Sequence, residues 1–335
     1  MSRVVVVTGA SAGLGRAIVR EFAAQGDDIG LISRGMDGLM AAKAEVEASG
    51  SRATVVSADV AHPDEIERAA DEIERELGPI DIWVNNAMVS VFSPVKEMQA
   101  EEYRRVTEVT YLGYVYGTQT ALRKMLPRDR GTIIQVGSAL AFRGIPLQSA
   151  YCASKHAVEG FTDSLRAELQ HDKSNVKVRI VHMPAMNTPQ FDWVRSRLSH
   201  KAQPVPPIYE PEVGARGVAW MADHDRDTLL VGWPTVATVW LNRLVPSLVD
   251  WHLARTGYSS QQVEEPEEPG RPDNLNAPLP GNHGAHGRFD DRAIDTSPML
   301  QITTKPGWIG RALPVVSLPV AFVIQQQLAK RKKAA

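Results

Sequence analysis

A single cysteine, Cys152, stands in 335 residues, which excludes an intrachain disulfide and offers no cysteine-based metal cluster. A formal net charge of −2, with 23% charged residues of both signs, gives no whole-chain footprint for nucleic acid. No uninterrupted apolar stretch reaches the roughly 20 residues of a simple spanning helix. Internal repeats are absent too. The strand-like run 3–8 starts almost at Met1, so no signal peptide is expected, and with one cysteine a reducing, cytoplasmic setting fits. The length suits one large domain, or a domain with an appendage.

What the chain does have is alternation. Short apolar runs at 3–8, 29–33, 53–57, 80–85, 132–137, 176–182 and 228–231 alternate with amphipathic stretches at 14–25, 37–49, 64–77, 100–125, 151–170 and 211–221. The runs 4–7 and 133–136 are nearly continuous and apolar, as in strands covered on both faces. The pattern predicts an α/β protein with a doubly wound parallel sheet over 1–232, whose ligands lie beyond the carboxyl ends of the strands. Residues 233–258 read as one more helix, broken near Pro246. Residues 259–335 read as an irregular extension, either ordered by packing or disordered.

Tyr151 and Lys155 are four apart in a helical pattern and share a face. A phenol titrates near ~10, and a neighbouring ammonium favours its ionised form, as suits proton exchange with a carbonyl oxygen. Cys152 beside them reads as a small helix-compatible residue, not a nucleophile.

Between the first strand and the first helix lies Thr8-Gly9-Ala10-Ser11-Ala12-Gly13-Leu14-Gly15. Glycines there allow a tight turn and close approach to a pyrophosphate, and the helix N-terminus offers unpaired N–H groups. At the end of the second strand, Ser33-Arg34 stands where an acidic residue would select NAD. An arginine fork suits a 2′-phosphate, so NADP(H) is expected over NAD(H). Asp59-Val60 follows the third strand, where a carboxylate either meets the adenine amine or caps the next helix. Asn85-Asn86-Ala87 follows the fourth.

Over about 1–232 the chain resembles the short-chain dehydrogenase/reductase family, on the strength of the glycine-rich turn, Asp59, Asn85-Asn86-Ala87, Ser138, Tyr151 with Lys155, and Pro184 with Thr188. The resemblance implies a seven-stranded Rossmann fold with helices on both faces. It implies a Ser138, Tyr151, Lys155 site that interconverts an alcohol and a ketone or aldehyde. Tyr151 exchanges the proton, Ser138 positions the oxygen, and Lys155 holds the nicotinamide ribose. Gly9, Ser11, Ala12, Gly13, Leu14, Gly15, Ser33, Arg34, Asp59, Val60, Asn86, Ala87, Tyr151, Lys155, Pro184 and Thr188 would contact the cofactor. No metal is expected, His283 and His286 being isolated in sequence. A homo-oligomer acting on a small molecule is expected.

Three positions depart from the family: Met88 and Ala185 replace glycines, and Thr110 replaces an asparagine thought to hold a water in a proton relay from the lysine. These departures motivate a rival reading, a cofactor-sensing protein with weak chemistry. A flap over the substrate is expected at 187–207, where Phe191, Trp193 and Val194 with Arg195, Arg197, His200 and Lys201 suggest a bulky apolar substrate carrying an acidic group. At the end, Trp308, Arg311, an apolar run at 312–324 and Lys330-Arg331-Lys332-Lys333 either lie on an anionic membrane or pack on the body. Two prolines in the run favour packing. The membrane alternative would make the protein a surface reductase of lipid-like carbonyls.

Overall fold

A computed structural model describes residues 2–305. The tail with Trp308, Arg311, the 312–324 run and Lys330–Lys333 lies outside the described residues.

Seven parallel strands form the main sheet: β1 (Val4–Thr8), β2 (Asp28–Ser33), β3 (Ala53–Ser57), β4 (Ile80–Asn85), β5 (Thr132–Ser138), β6 (Lys177–Met183) and β7 (Thr228–Leu230). Their order is β7-β6-β5-β4-β1-β2-β3. The chain runs outward from β1 to β3, then returns to β4 on the other side of β1. That reversal opens a crevice at the carboxyl ends of β1 and β4.

Around the sheet lie α1 (Gly13–Ala24), α2 (Met36–Ala48), α3 (Pro63–Leu77), α4 (Ala100–Thr107), α5 (Gly113–Met125), α6 (Ser149–His171) and α7 (Pro211–Asp223). Side chains alternate across a strand, so β1 feeds two cores. Val5 and Val7 pack with Ile18, Phe22 and Val218 on one face. Val4 and Val6 pack with Ile73, Trp83 and Ile133 on the other. The expected single helix at 100–125 is interrupted, because α4 and α5 are joined by a π-helical turn at Glu108–Leu112.

Two further helices, α8 (Trp233–Leu244) and α9 (Pro246–Thr256), follow β7. Pro246 supplies no N–H and occupies the first turn of α9, so the break falls where the sequence placed it. The extension is ordered by packing over its described part. Gln262–Pro266 pairs antiparallel with His200–Ala202, and Leu275, Ala285, Phe289 and Ile294 are buried. The flap is tied down as well, since Arg195–Ser196 pairs with Val91–Phe92.

Candidate active site

The strand ends and the first turn of α6 enclose a cavity of about 830 Å³. Its walls bring together the glycine-rich turn, Ser33, Arg34, Asp59, Val60, Asn86, Ala87, Ser138, Tyr151, Lys155, Pro184 and Thr188. Gly9 and Thr188, 179 positions apart, thus face one space.

At the turn, Gly13 has φ +59°, and a Cβ on Gly9 would lie 2.9 Å from the Ala87 Cα. A Cβ on Gly15 would overlap the Gly9 carbonyl oxygen. Only a backbone without side chains fits this corner, which is what a phosphate cradle requires. Asn86 braces it, its side-chain amide donating to the Thr8 carbonyl at 3.0 Å. Asn85 turns inward instead: its amide donates to Thr118 and Gln135 and accepts from the Trp83 indole.

The phenol and the amine do not behave as the spacing suggested. Lys155 Nζ lies 5.6 Å from the Tyr151 ring centre. It donates instead to the Tyr114 hydroxyl at 2.9 Å and the Val136 carbonyl at 2.8 Å. Burial without a countercharge pulls the Lys155 ammonium down to about 7. Burial likewise pushes the Tyr151 phenol up to about 12, partly offset by its hydrogen bond with the Ser138 hydroxyl. The expected acidification of Tyr151 by Lys155 is therefore corrected: desolvation outweighs a cation that is already engaged elsewhere. Cys152, buried beside them, has its thiol pushed up to about 11 by burial, as suits an inert side chain.

The relay position also differs from expectation. Thr110 is fully buried, its hydroxyl donating to the Val89 carbonyl at 2.8 Å and accepting from the Val89 N–H at 3.1 Å. Both contacts hold the loop after β4, so this hydroxyl is a loop clamp. Met88 and Ala185 cause no strain, since neither has positive φ.

The far end of the cavity is built partly by the extension, which the sequence did not foreshadow. Arg34 donates to the carbonyls of Asn274 at 2.6 Å and Leu275 at 3.3 Å. Arg105 donates to the Leu275 carbonyl at 3.0 Å and pairs with Asp59. Asp59 also accepts from the Ala61 N–H at 3.0 Å, so it caps a turn as well as facing the pocket. Arg105 keeps the Asp59 carboxyl below the ordinary carboxylate range despite its burial. The Gly284 carbonyl accepts from the Gly13 N–H at 2.9 Å, and the Ser11 and Ser33 hydroxyls hydrogen-bond at 2.8 Å.

The flap supplies apolar wall, not an anion site. Phe191 and Trp193 line the cavity. Arg195 and Arg197 both donate to buried Glu102, while Lys201 pairs with Glu265 and Glu268. Those cations are neutralised within the fold, which removes the basis for an acidic group on the substrate. His286 is not isolated: its Nε2 lies 3.0 Å from Glu212 and its Nδ1 3.1 Å from Asp290. Ligand atoms of Glu210, His286 and Asp290 fall within 4.8 Å of one another, a grouping hidden by their separation in sequence. His283 packs edge-on against Trp193 at 4.7 Å.

Comparison with known proteins agrees with the fold. The chain is 32% identical over 269 residues to the uncharacterized oxidoreductase YxnA of Bacillus subtilis, covering 80% of this chain and 76% of that one. Among solved structures it resembles a metagenomic short-chain oxidoreductase in complex with NADP, at 29% identity and TM-score 0.58, covering 69% of this chain and 97% of the other. A Burkholderia phymatum short chain dehydrogenase/reductase in complex with NAD shares the fold, at 22% identity and TM-score 0.67, covering 74% and 95%. Residues 3–198 match the short chain dehydrogenase family as a whole, and the chain belongs to that family.

Proposed function

We propose that the protein is an NADP(H)-dependent oxidoreductase that interconverts an alcohol and a ketone or aldehyde, in the cytoplasm and as a homo-oligomer. The observation that carries this reading is the convergence of Ser138, Tyr151 and Lys155 on the cavity that also holds the glycine-rich turn and Arg34. The side-chain-free corner at Gly9, Gly13 and Gly15 suits a pyrophosphate, with Ser11, Ala12 and Leu14 completing the turn. Ser33 and Arg34 would hold a 2′-phosphate, Asp59 and Val60 the adenine, Asn86 and Ala87 the middle of the dinucleotide, and Pro184 with Thr188 the nicotinamide end. When bound, the nicotinamide supplies or accepts a hydride.

The protein's own part is the proton. A Tyr151 phenol held near 12 is protonated throughout the physiological range, so it is poised to donate to an oxygen that becomes an alkoxide during carbonyl reduction. Ser138, whose hydroxyl hydrogen-bonds with that phenol, orients the same oxygen. Lys155 would hold the nicotinamide ribose and, titrating close to neutrality, exchanges charge at low cost. Tyr151→Phe is expected to lower NADPH-dependent reduction of responsive carbonyls by about 10²–10⁴ while NADPH binding persists. A variant that keeps wild-type turnover excludes the phenol as donor.

One contact pattern favours the cofactor-sensing alternative: the Thr110 hydroxyl is committed to the Val89 backbone at the position where the family's proton relay would hold its water. NADPH binding without turnover across steroid, retinoid, fatty and aromatic carbonyls would select that reading.

A further inference from the structure

Among the described residues, the end of α8 and the length of α9 carry large apolar side chains that nothing covers. In α9 none is buried, and in α8 only Thr235 and Val236 are. Leu241, Leu244 and Val245 at the end of α8 and Leu248 and Trp251 in α9 form an exposed apolar stripe on either side of the Pro246 joint. Leu244 is 70% exposed, Leu248 58%, Trp251 54% and Leu241 50%. Val205, on the same cavity, and Tyr258, just after α9, are exposed as well. Several large exposed apolar side chains on one hairpin mark a contact surface.

The stripe is also the outer end of the active-site cavity. Leu241, Val245, Leu248 and Trp251 are both exposed and cavity-lining. Leu140, Ile145, Pro204 and Val205 continue the apolar wall inward, on the cavity that Tyr151 also lines. Two polar side chains on this path are held by others, the Arg143 fork by Asn242 and Asp250 and the Gln148 amide by Gln261. An apolar lining therefore runs from the reactive phenol to the surface.

We infer that the α8–α9 hairpin rests on a lipid surface and passes from it a substrate with a long aliphatic chain, whose carbonyl or hydroxyl end reaches Tyr151. The inference rests on the oxidoreductase reading for its chemistry and on the hairpin for its location. A rigid protein partner on this stripe would close the cavity mouth, and a second copy placed symmetrically would close two. Lipid covers the stripe and shares the chemistry of the cavity wall, so coverage and substrate supply come from one source. Charge and ring placement agree. Arg243 is exposed, and the Arg255 guanidinium lies 3.9 Å over the Trp251 ring, while the nearby carboxylate, Asp250, is paired with Arg143. A net cationic rim with amphipathic aromatic rings suits anionic headgroups.

The test is flotation of the full chain with vesicles of phosphatidylcholine containing a minority of phosphatidylglycerol, beside the double variant Leu244→Glu, Tyr258→Glu. Neither residue lines the cavity. The wild-type chain is expected to float and the variant to lose roughly tenfold in bound fraction, because two carboxylates must then enter the interface. Turnover of a vesicle-borne long-chain ketone should fall in parallel, while turnover of a short water-soluble ketone is retained. Equal flotation of the two proteins, or none by either, overturns the inference. So does a dimer that the double variant dissociates, which would assign the stripe to a second copy. Flotation lost in the variant, with no carbonyl turned over by either protein, supports the docking and overturns the oxidoreductase reading instead.

Discussion

Lys155 Nζ donates to the Tyr114 hydroxyl at 2.9 Å, and both groups also donate to the Val136 carbonyl, at 2.8 and 3.1 Å. This closed triangle anchors the buried amine at the cavity wall. The Tyr114 hydroxyl accepts from the amine, so it favours the charged amine against the burial that lowers it. Tyr114→Phe removes an acceptor contributing about 1.5–3 kcal/mol to a charged donor. The Lys155 pKa should then drop further, and any limb of the pH-rate profile that follows this charge should move to lower pH. Steady-state rates across pH check this, and an unmoved limb would leave the hydroxyl a packing role only.

The same lysine sets a pH dependence of stability. Its folded value of about 7 lies below the ordinary 10.5, so between those values the unfolded chain binds a proton that the folded one does not. Unfolding free energy therefore rises with pH across this window, by about 1.4 kcal/mol per pH unit at most, and the burial penalty is complete below 7. Tyr151, raised from 10 to about 12, acts with opposite sign, and its contribution is lost as pH rises through that higher value. Urea unfolding of Lys155→Met against wild type should show the variant gaining most below pH 7 and its advantage shrinking towards pH 10.5. A constant difference would mean that the amine titrates normally in the fold.

Cofactor choice should rest on Arg34. Two backbone carbonyls hold its guanidinium at the pocket's edge, leaving further N–H donors in the planar fork. Arg34→Ala should raise the KM for NADPH at least about tenfold, the scale of one lost charge-assisted contact, and leave that for NADH nearly unchanged. Equal apparent affinity of the wild-type protein for the two dinucleotides would end the NADP preference.

The parts of this design set by local sequence were readable in advance. β1 is a valine run because both its faces are buried, and the apolar period over 151–170 marked the helix that carries Tyr151 and Lys155. What spacing could not reveal was contact between distant segments. Tyr114 reaches Lys155 beyond a π-helical turn, which shifts side chains off the 3.6-residue period. Arg195 and Arg197 looked free for a ligand because their partner, Glu102, lies more than ninety residues away. The phenol's environment was misjudged for a related reason. Sequence reports a neighbouring charge but not the burial that opposes it.

Residues 276–284 bridge two buried anchors, Leu275 and Ala285, and cross the cavity beside the glycine-rich turn. Gly284 meets the Gly13 N–H, and Gly281 donates to the Asp37 carboxylate at 2.8 Å. His286 fastens the far end among Glu210, Glu212 and Asp290. A dinucleotide whose phosphate uses the Gly13 N–H must displace the Gly284 carbonyl, so association should be limited by opening of this strap. The observed rate of NADPH binding in stopped flow should level off with concentration, and Asp37→Ala should raise the plateau severalfold. The carboxylates raise the His286 pKa above the ordinary 6.5, so its hold on the strap is complete below that value and lost as pH rises through the elevated one. The plateau should accordingly climb with pH, and His286→Ala should flatten that climb. A rate that stays linear in NADPH, identical in both variants, would show that the strap does not stand in the cofactor's way.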